Sequence, residues 1–254
     1  MSPTAGPSPL RELRPDPGNP AMTLVFAHHA GGSALSYLPL ARLLPEDWRV
    51  LGVELPGRIT ADDEVAFTGC GDAVRWLLPH LREVSSGPYA LFGHSMGALV
   101  GFELVRALAA AGRPPVWLGV SASPAPGMRP GARRDLWPEH RLVDLMNRLG
   151  GTPGPLLSVP GLRERMVRVL RDDLALVDTY RYRPGPALDV PLSVWRAGGD
   201  SAATAVQMRP WHTHSTAPPR SRVWEGGHFY LFDQAAAVAA ALAEEIARVG
   251  VRRP

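Results

Sequence analysis

The pentapeptide Gly93-His94-Ser95-Met96-Gly97 limits what this chain can fold into more than any other stretch. It has the form G-x-S-x-G. An apolar run, Tyr89-Ala90-Leu91-Phe92, leads into it and reads as a buried strand, and the run from Ala98 to Leu108 leaves it as a helix. A reversal this tight between strand and helix puts a Cβ at either glycine against neighbouring backbone. The strained turn lifts the serine hydroxyl to the end of the sheet, within reach of a base. Ser95 is the candidate nucleophile. The bland alternative is a small-residue turn carrying a solvated serine.

A base is found downstream. Val223-Trp224-Glu225-Gly226-Gly227-His228-Phe229 reads as a strand end, a glycine turn and a histidine, followed by a helix from about Phe232. Of the eight histidines, only His228 has this setting. His94 lies inside the turn, with its side chain directed away from the nucleophile. An acid lies between them in sequence: the apolar run from Pro191 to Ala197 ends in Gly198-Gly199-Asp200. A carboxylate there would hold the ring N–H of His228, fix its tautomer and stabilise the imidazolium. Its bland alternative is a turn residue, for which Asp is a favoured type. The chain order Ser95, Asp200, His228 is that of an α/β-hydrolase. An oxyanion hole needs two backbone N–H groups. Met96 supplies one at the start of its helix. The loop His28-His29-Ala30-Gly31-Gly32-Ser33, after the strand Thr23 to Ala27, supplies the other at Ala30. The histidine pair in that loop has no Cys, Asp or Glu cluster beside it, so a metal site is not expected.

Strands around 23–27, 49–55, 89–93, 116–122, 191–197 and 220–225 alternate with helical stretches, which predicts a mostly parallel sheet covered on both faces. Residues from about 128 to 185 interrupt the alternation. Helical spacing over 139–149 and 161–180 reads as a lid of helices inserted over the site; extra core-covering helices without a gating role are the plainer reading. Residues 1–21 are rich in Pro, Gly and Ser and are expected to be a mobile tail, followed by one domain over 22–250.

Six segments in order resemble one family: His29–Ser33, Glu54-Leu55-Pro56-Gly57-Arg58, Gly93–Gly97, Leu149-Gly150-Gly151-Thr152-Pro153, Leu170-Arg171-Asp172-Asp173-Leu174, and Gly226–Phe229. Together they resemble the type II thioesterases, the stand-alone hydrolases that accompany polyketide synthases and nonribosomal peptide synthetases. The resemblance implies an α/β-hydrolase fold with a helical lid. It implies hydrolysis of aberrant or stalled acyl groups from the phosphopantetheine arm of acyl or peptidyl carrier proteins. The triad then falls on Ser95, Asp200 and His228, and the oxyanion donors on Ala30 and Met96. Two positions depart from the family pattern. His28 stands where a proline is usual, and Gly198-Gly199-Asp200-Ser201-Ala202 lacks the second carboxylate of the usual Gly-Gly-Asp-x-Asp. If that second position carries the family's acid, Asp200 replaces it from a shifted place. A small-ester hydrolase, an acyltransferase or a cyclising terminal thioesterase would use the same triad. A chain starting at its own Met1 with no second domain is expected to stand alone. A weakly active module that binds carrier proteins is a reading from a different class.

The remaining composition narrows partners. The chain has 254 residues and a net charge of +3; its basic residues are all arginine. No basic stripe on a nucleic-acid-binding motif is present, so nucleic acid is not expected as a partner. No uninterrupted apolar run reaches the ~18 residues of a membrane span, and the N-terminus has no signal-peptide core. The one cysteine, Cys70, excludes an intrachain disulfide. A cytoplasmic, monomeric enzyme without metal or redox cofactor is expected. Arg133, Arg134, Arg141, Arg148, Arg163, Arg165, Arg168 and Arg171 dot the lid. They read either as a docking surface for an acidic carrier protein or as solvated helix faces.

Overall fold

The computed structural model describes residues 8–58, 67, 69–128, 131–150 and 154–250. Among these residues seven strands form one sheet: β1 (Leu10–Glu12), β2 (Met22–Ala27), β3 (Trp48–Val53), β4 (Tyr89–His94), β5 (Trp117–Ser121), β6 (Leu192–Ala197) and β7 (Arg220–Trp224). Their order is β1-β3-β2-β4-β5-β6-β7. Every pair is parallel except β1 on β3. The α-helices are α1 (Leu38–Ala41), α2 (Cys70–Val84), α3 (Met96–Ala110), α4 (Glu139–Leu149), α5 (Gly154–Leu157), α6 (Pro160–Asp178), α7 (Ala205–Met208), α8 (Tyr230–Asp233) and α9 (Ala235–Gly250).

The central strands β2, β4 and β5 are buried along their whole length and mostly apolar because both sheet faces are covered. Strand alternation divides their side chains. Val25 and Leu91 pack into one core with Leu77 of α2 and Val105 of α3. Leu24, Phe26, Ala90 and Phe92 pack into the other with Leu40 of α1 and Leu242 of α9. A third, smaller cluster belongs to the insertion, where Leu142 and Met146 of α4 meet Val167, Leu170 and Leu174 of α6.

Strand order reverses between β2 and β4: the chain runs from β2 outward to β3, then returns across β2 to β4. The crevice beyond the carboxyl ends of strands at such a reversal is where ligands bind in open α/β sheets. Ala27 at the end of β2 is in register with Gly93 near the end of β4. The loop at His28–Ser33 and the turn at Ser95 therefore leave the sheet side by side.

The expected mobile tail over residues 1–21 needs correction. Its first seven residues lie outside the described ones, but residues 8–21 are built into the fold. β1 lies antiparallel on the edge of β3, with Leu10 opposite Val53. Glu54 N–H donates to Pro9 O at 2.7 Å. Leu13 is buried, and Arg14 donates from Nε to Trp48 O at 3.2 Å and from Nη1 to Leu44 O at 2.9 Å. Three residues are enough to satisfy the free edge of β3, and a pattern that short does not rise above its Pro-rich flanks. Gly151, Thr152 and Pro153, part of one segment of the resemblance, lie outside the described residues.

Candidate active site

Ser95 sits at φ 55° and ψ −112°, a conformation that non-glycine residues rarely adopt. Its neighbours explain how the chain reaches it. A Cβ on Gly93 would lie 2.2 Å from Gly97 O, and one on Gly97 would lie 2.0 Å from Ala27 O. Only glycine at both places lets the first turn of α3 press against β4 and the end of β2. The Ser95 N–H donates to Ser121 O at 2.8 Å, which ties the turn to β5. Met96, first residue of α3, has its N–H at the positive end of the helix.

The β6 and β7 ends bring the acid and the histidine together. Gly198 N–H donates to Trp224 O at 2.9 Å, and Gly199 N–H donates to Gly226 O at 3.0 Å. Gly226 has φ 89°, so the chain turns off β7 there as only glycine does freely. His228 Nδ1–H donates to Asp200 Oδ2 at 2.7 Å, and Ala202 N–H donates to Asp200 Oδ1 at 2.8 Å. Both carboxylate oxygens are engaged, and both side chains are buried. This leaves Nε2 of His228 as the lone-pair nitrogen. No second carboxylate in the loop is needed for this contact. Ser95 and His228 line one cavity of about 90 Å³.

Met96, Leu145, Leu149, Leu170, Leu174 and Phe229 line that cavity, so α4 and α6 of the insertion cover it. Its polar wall includes Arg134 and Asp178, which pair with each other at 2.6 Å. A larger open groove, about 1000 Å³, runs beside α2 and α3 and contains none of these residues. Ala30 also lines the small cavity. It lies in a turn closed by Gly32 N–H donating to His29 O at 3.0 Å, with Gly31 at φ 77° as a type II turn requires. Among the described residues the Ala30 N–H has no hydrogen-bond partner.

Three features escaped the sequence. Buried Arg58 and Asp173 pair at 2.5 Å, joining two of the six segments of the resemblance across 115 residues of sequence. Burial drives the Asp173 carboxyl up, and Arg58 and the Gly31 N–H oppose it. The always-charged guanidinium reaches both Asp173 oxygens from one nitrogen, Nη2. Next, His94 is not idle. Its Nδ1 bonds Ser121 Oγ at 2.8 Å, Ser121 Oγ bonds Tyr230 OH at 2.6 Å, and its ring lies 5.0 Å from that of His228. Finally, His28 and His29 donate from Nδ1 to the His29 and Ala30 carbonyls at 2.8 and 3.0 Å. Burial lowers all three imidazoles. His28 and His94 fall well below their ordinary value and His29 to about 4, with neighbouring positive groups adding to the effect. Among the described residues no three His, Cys, Asp or Glu side chains gather as a metal site, and no helix is long and apolar enough to cross a membrane.

Comparison with known proteins agrees with this architecture. The family model for the thioesterase domain matches residues 22–246. Thioesterase PikA5 of Streptomyces venezuelae is 32% identical over 231 residues, which are 89% of this chain and 80% of that protein. The type II thioesterase BorB from the borrelidin biosynthetic cluster is 35% identical, with a TM-score of 0.87 over 96% of this chain and 99% of that one. RedJ, a thioesterase of the prodiginine pathway in Streptomyces coelicolor, is 30% identical, with a TM-score of 0.85 over 96% of each chain. The fold is that of an α/β-hydrolase, the activity is thioester hydrolysis, and the chain belongs to the thioesterase family.

Proposed function

We propose that this thioesterase removes stalled or aberrant acyl groups from the phosphopantetheine arms of carrier proteins in polyketide or nonribosomal peptide synthesis, through an acyl-serine on Ser95. The observation that carries the reading is the Asp200–His228 contact of 2.7 Å at the cavity that also holds Ser95. His228 Nε2 takes the Ser95 proton as Oγ attacks the thioester carbonyl. The N–H groups of Ala30 and Met96 hold the oxyanion. The C–S bond breaks, and the pantetheine sulfur leaves as a thiol with the proton from His228. Water then adds to the acyl-serine, with His228 as base, and the free acid departs. Every step uses side chains, backbone N–H groups and water. No metal or redox cofactor is needed, and the pantetheine belongs to the substrate.

The small cavity under α4 and α6 suits a short acyl group better than a finished chain. The similarity to enzymes of biosynthetic clusters supports carrier proteins as partners. A cytoplasmic, monomeric enzyme fits that role. The test is a rate comparison between acyl groups loaded on carrier proteins, in a series of chain lengths, and the same acyl groups as p-nitrophenyl esters. Preference for short carrier-bound acyl groups is expected. Equal or faster turnover of the simple esters identifies a general esterase instead.

A further inference from the structure

The turn that offers the Ala30 N–H is held from the lid. Asp173 lies on α6, one helical turn beyond Leu170, so the two share a face. Its Oδ2 accepts the Gly31 N–H at 2.7 Å. Leu170 Cδ1 lies 3.6 Å from where a Cβ on Gly31 would be, so the same face packs on the turn. Arg58 joins from the other side. Its Nη2 donates to both Asp173 oxygens, at 2.5 and 2.6 Å, while Nε donates to Gly32 O at 3.1 Å and Nη1 to Pro56 O at 2.9 Å. The peptide groups around Ala30 are thereby committed one after another: Gly31 N–H to Asp173, Gly32 N–H to His29 O, Gly32 O to Arg58. Glu54 Oε2 fastens the end of the loop by accepting Ala34 N–H at 2.6 Å.

We infer that Asp173 and Arg58 are positioning residues for the oxyanion hole, and that they make its geometry depend on the docking of lid helix α6. The inference rests on the proposed role of the Ala30 N–H. Nothing in the pair reaches the acyl group. It acts through the turn, so it affects the transition state, where charge develops on the carbonyl oxygen, more than the ground state. If α6 is displaced from the Ala30 turn, Asp173 goes with it and the turn loses its anchor. A site whose lid is displaced would bind acyl groups yet hydrolyse them slowly.

Removing one partner leaves a buried charge unpaired and threatens folding, whereas replacing both with apolar side chains of similar size is tolerated far better. The test therefore compares D173N with the double variant R58M/D173L, each measured for thermal midpoint, kcat, KM and inhibition by a trifluoromethyl ketone, which mimics the tetrahedral oxyanion. The double variant is expected to recover most of the thermal stability lost in D173N. It should still lose roughly 10–100-fold in kcat, somewhat less than deletion of a whole oxyanion donor. Its KM should stay within about threefold, and its affinity for the ketone should fall in step with kcat. A double variant that regains both stability and kcat overturns the inference and makes the pair a structural tie. So does a loss confined to KM. S95A runs alongside: full activity in that variant overturns the serine mechanism beneath the inference, and the inference with it.

Discussion

At the residue scale, the triad candidates were legible because each has a local signature. A strained serine needs small neighbours on both sides. An acid and a histidine that meet across two strand ends need glycines to turn there: Gly199 has no room for a Cβ, which would fall 2.8 Å from Gly226 O. Asp200 follows directly in the chain. Asp200→Asn removes the acceptor that fixes the His228 tautomer while leaving the shape unchanged. It should lower kcat by about 10²–10³-fold, less than the ~10⁴ of the serine-protease precedent, because a thiol leaves more readily than an amine and asks less of His228 as acid. Steady-state kinetics on an acyl thioester, with circular dichroism to check the fold, measures this. A loss below about 5-fold would return Asp200 to the status of a turn residue. Arg58 and Asp173 had no such signature. A carboxylate in an arginine-bearing helix reads as part of a solvated face, and nothing local pairs it with a loop 115 residues away.

At the element scale, the close approach of α3 to β2 and β4 is what makes an elbow of the turn. Gly97→Ala drives a methyl into Ala27 O and into His28 O, 2.0 and 2.7 Å away. Backbone on both sides cannot yield cheaply, so the substitution should cost about 3 kcal/mol or more, at the upper end of overpacking. That corresponds to a fall in Tm of about 6–12 °C for a chain of this size. A Gly97→Ala protein melting within 2 °C of the parent, by the ~2–4 °C per kcal/mol rule, contradicts the packing described here. Helix periods were readable for α4 and α6 because their apolar stripes close a small core of their own. β1 was not readable, since its role is set by the edge it covers. Lid arginines also look different in three dimensions. Arg133 and Arg134 pair with Asp135 and Asp178, Arg163 with Glu139, and Arg171 donates to Trp137 O. Arg168 and Arg148 are exposed and are the better candidates for contact with an acidic carrier. If they steer one, kcat/KM for carrier-bound substrates should fall as salt rises while small thioesters change little, because screening shortens the reach of surface charge. Equal salt dependence removes that role.

At the scale of the whole molecule, three neutral imidazoles are sealed under the site. Their folded-state values lie below the ordinary 6.5, so the unfolded chain binds protons that the folded one refuses. The stability they contribute is present above pH 6.5 and is lost as pH falls toward the folded values. With His29 at about 4, it alone should remove about 2 kcal/mol between pH 7 and pH 5, and His28 and His94 act in the same direction. Urea unfolding at the two pH values reads this directly; equal or greater stability at pH 5 contradicts it. In the proposed reaction the assembled fold moves an acyl group from a carrier protein to Ser95 and then to water. Intact-mass spectrometry of a mixture of this protein and an acyl-loaded carrier protein, quenched over time, tests it most directly. Loss of the acyl mass from the carrier is expected, with a transient gain of the same mass on this protein and no such gain in Ser95→Ala. A carrier that stays loaded, or an adduct that persists in Ser95→Ala, contradicts it.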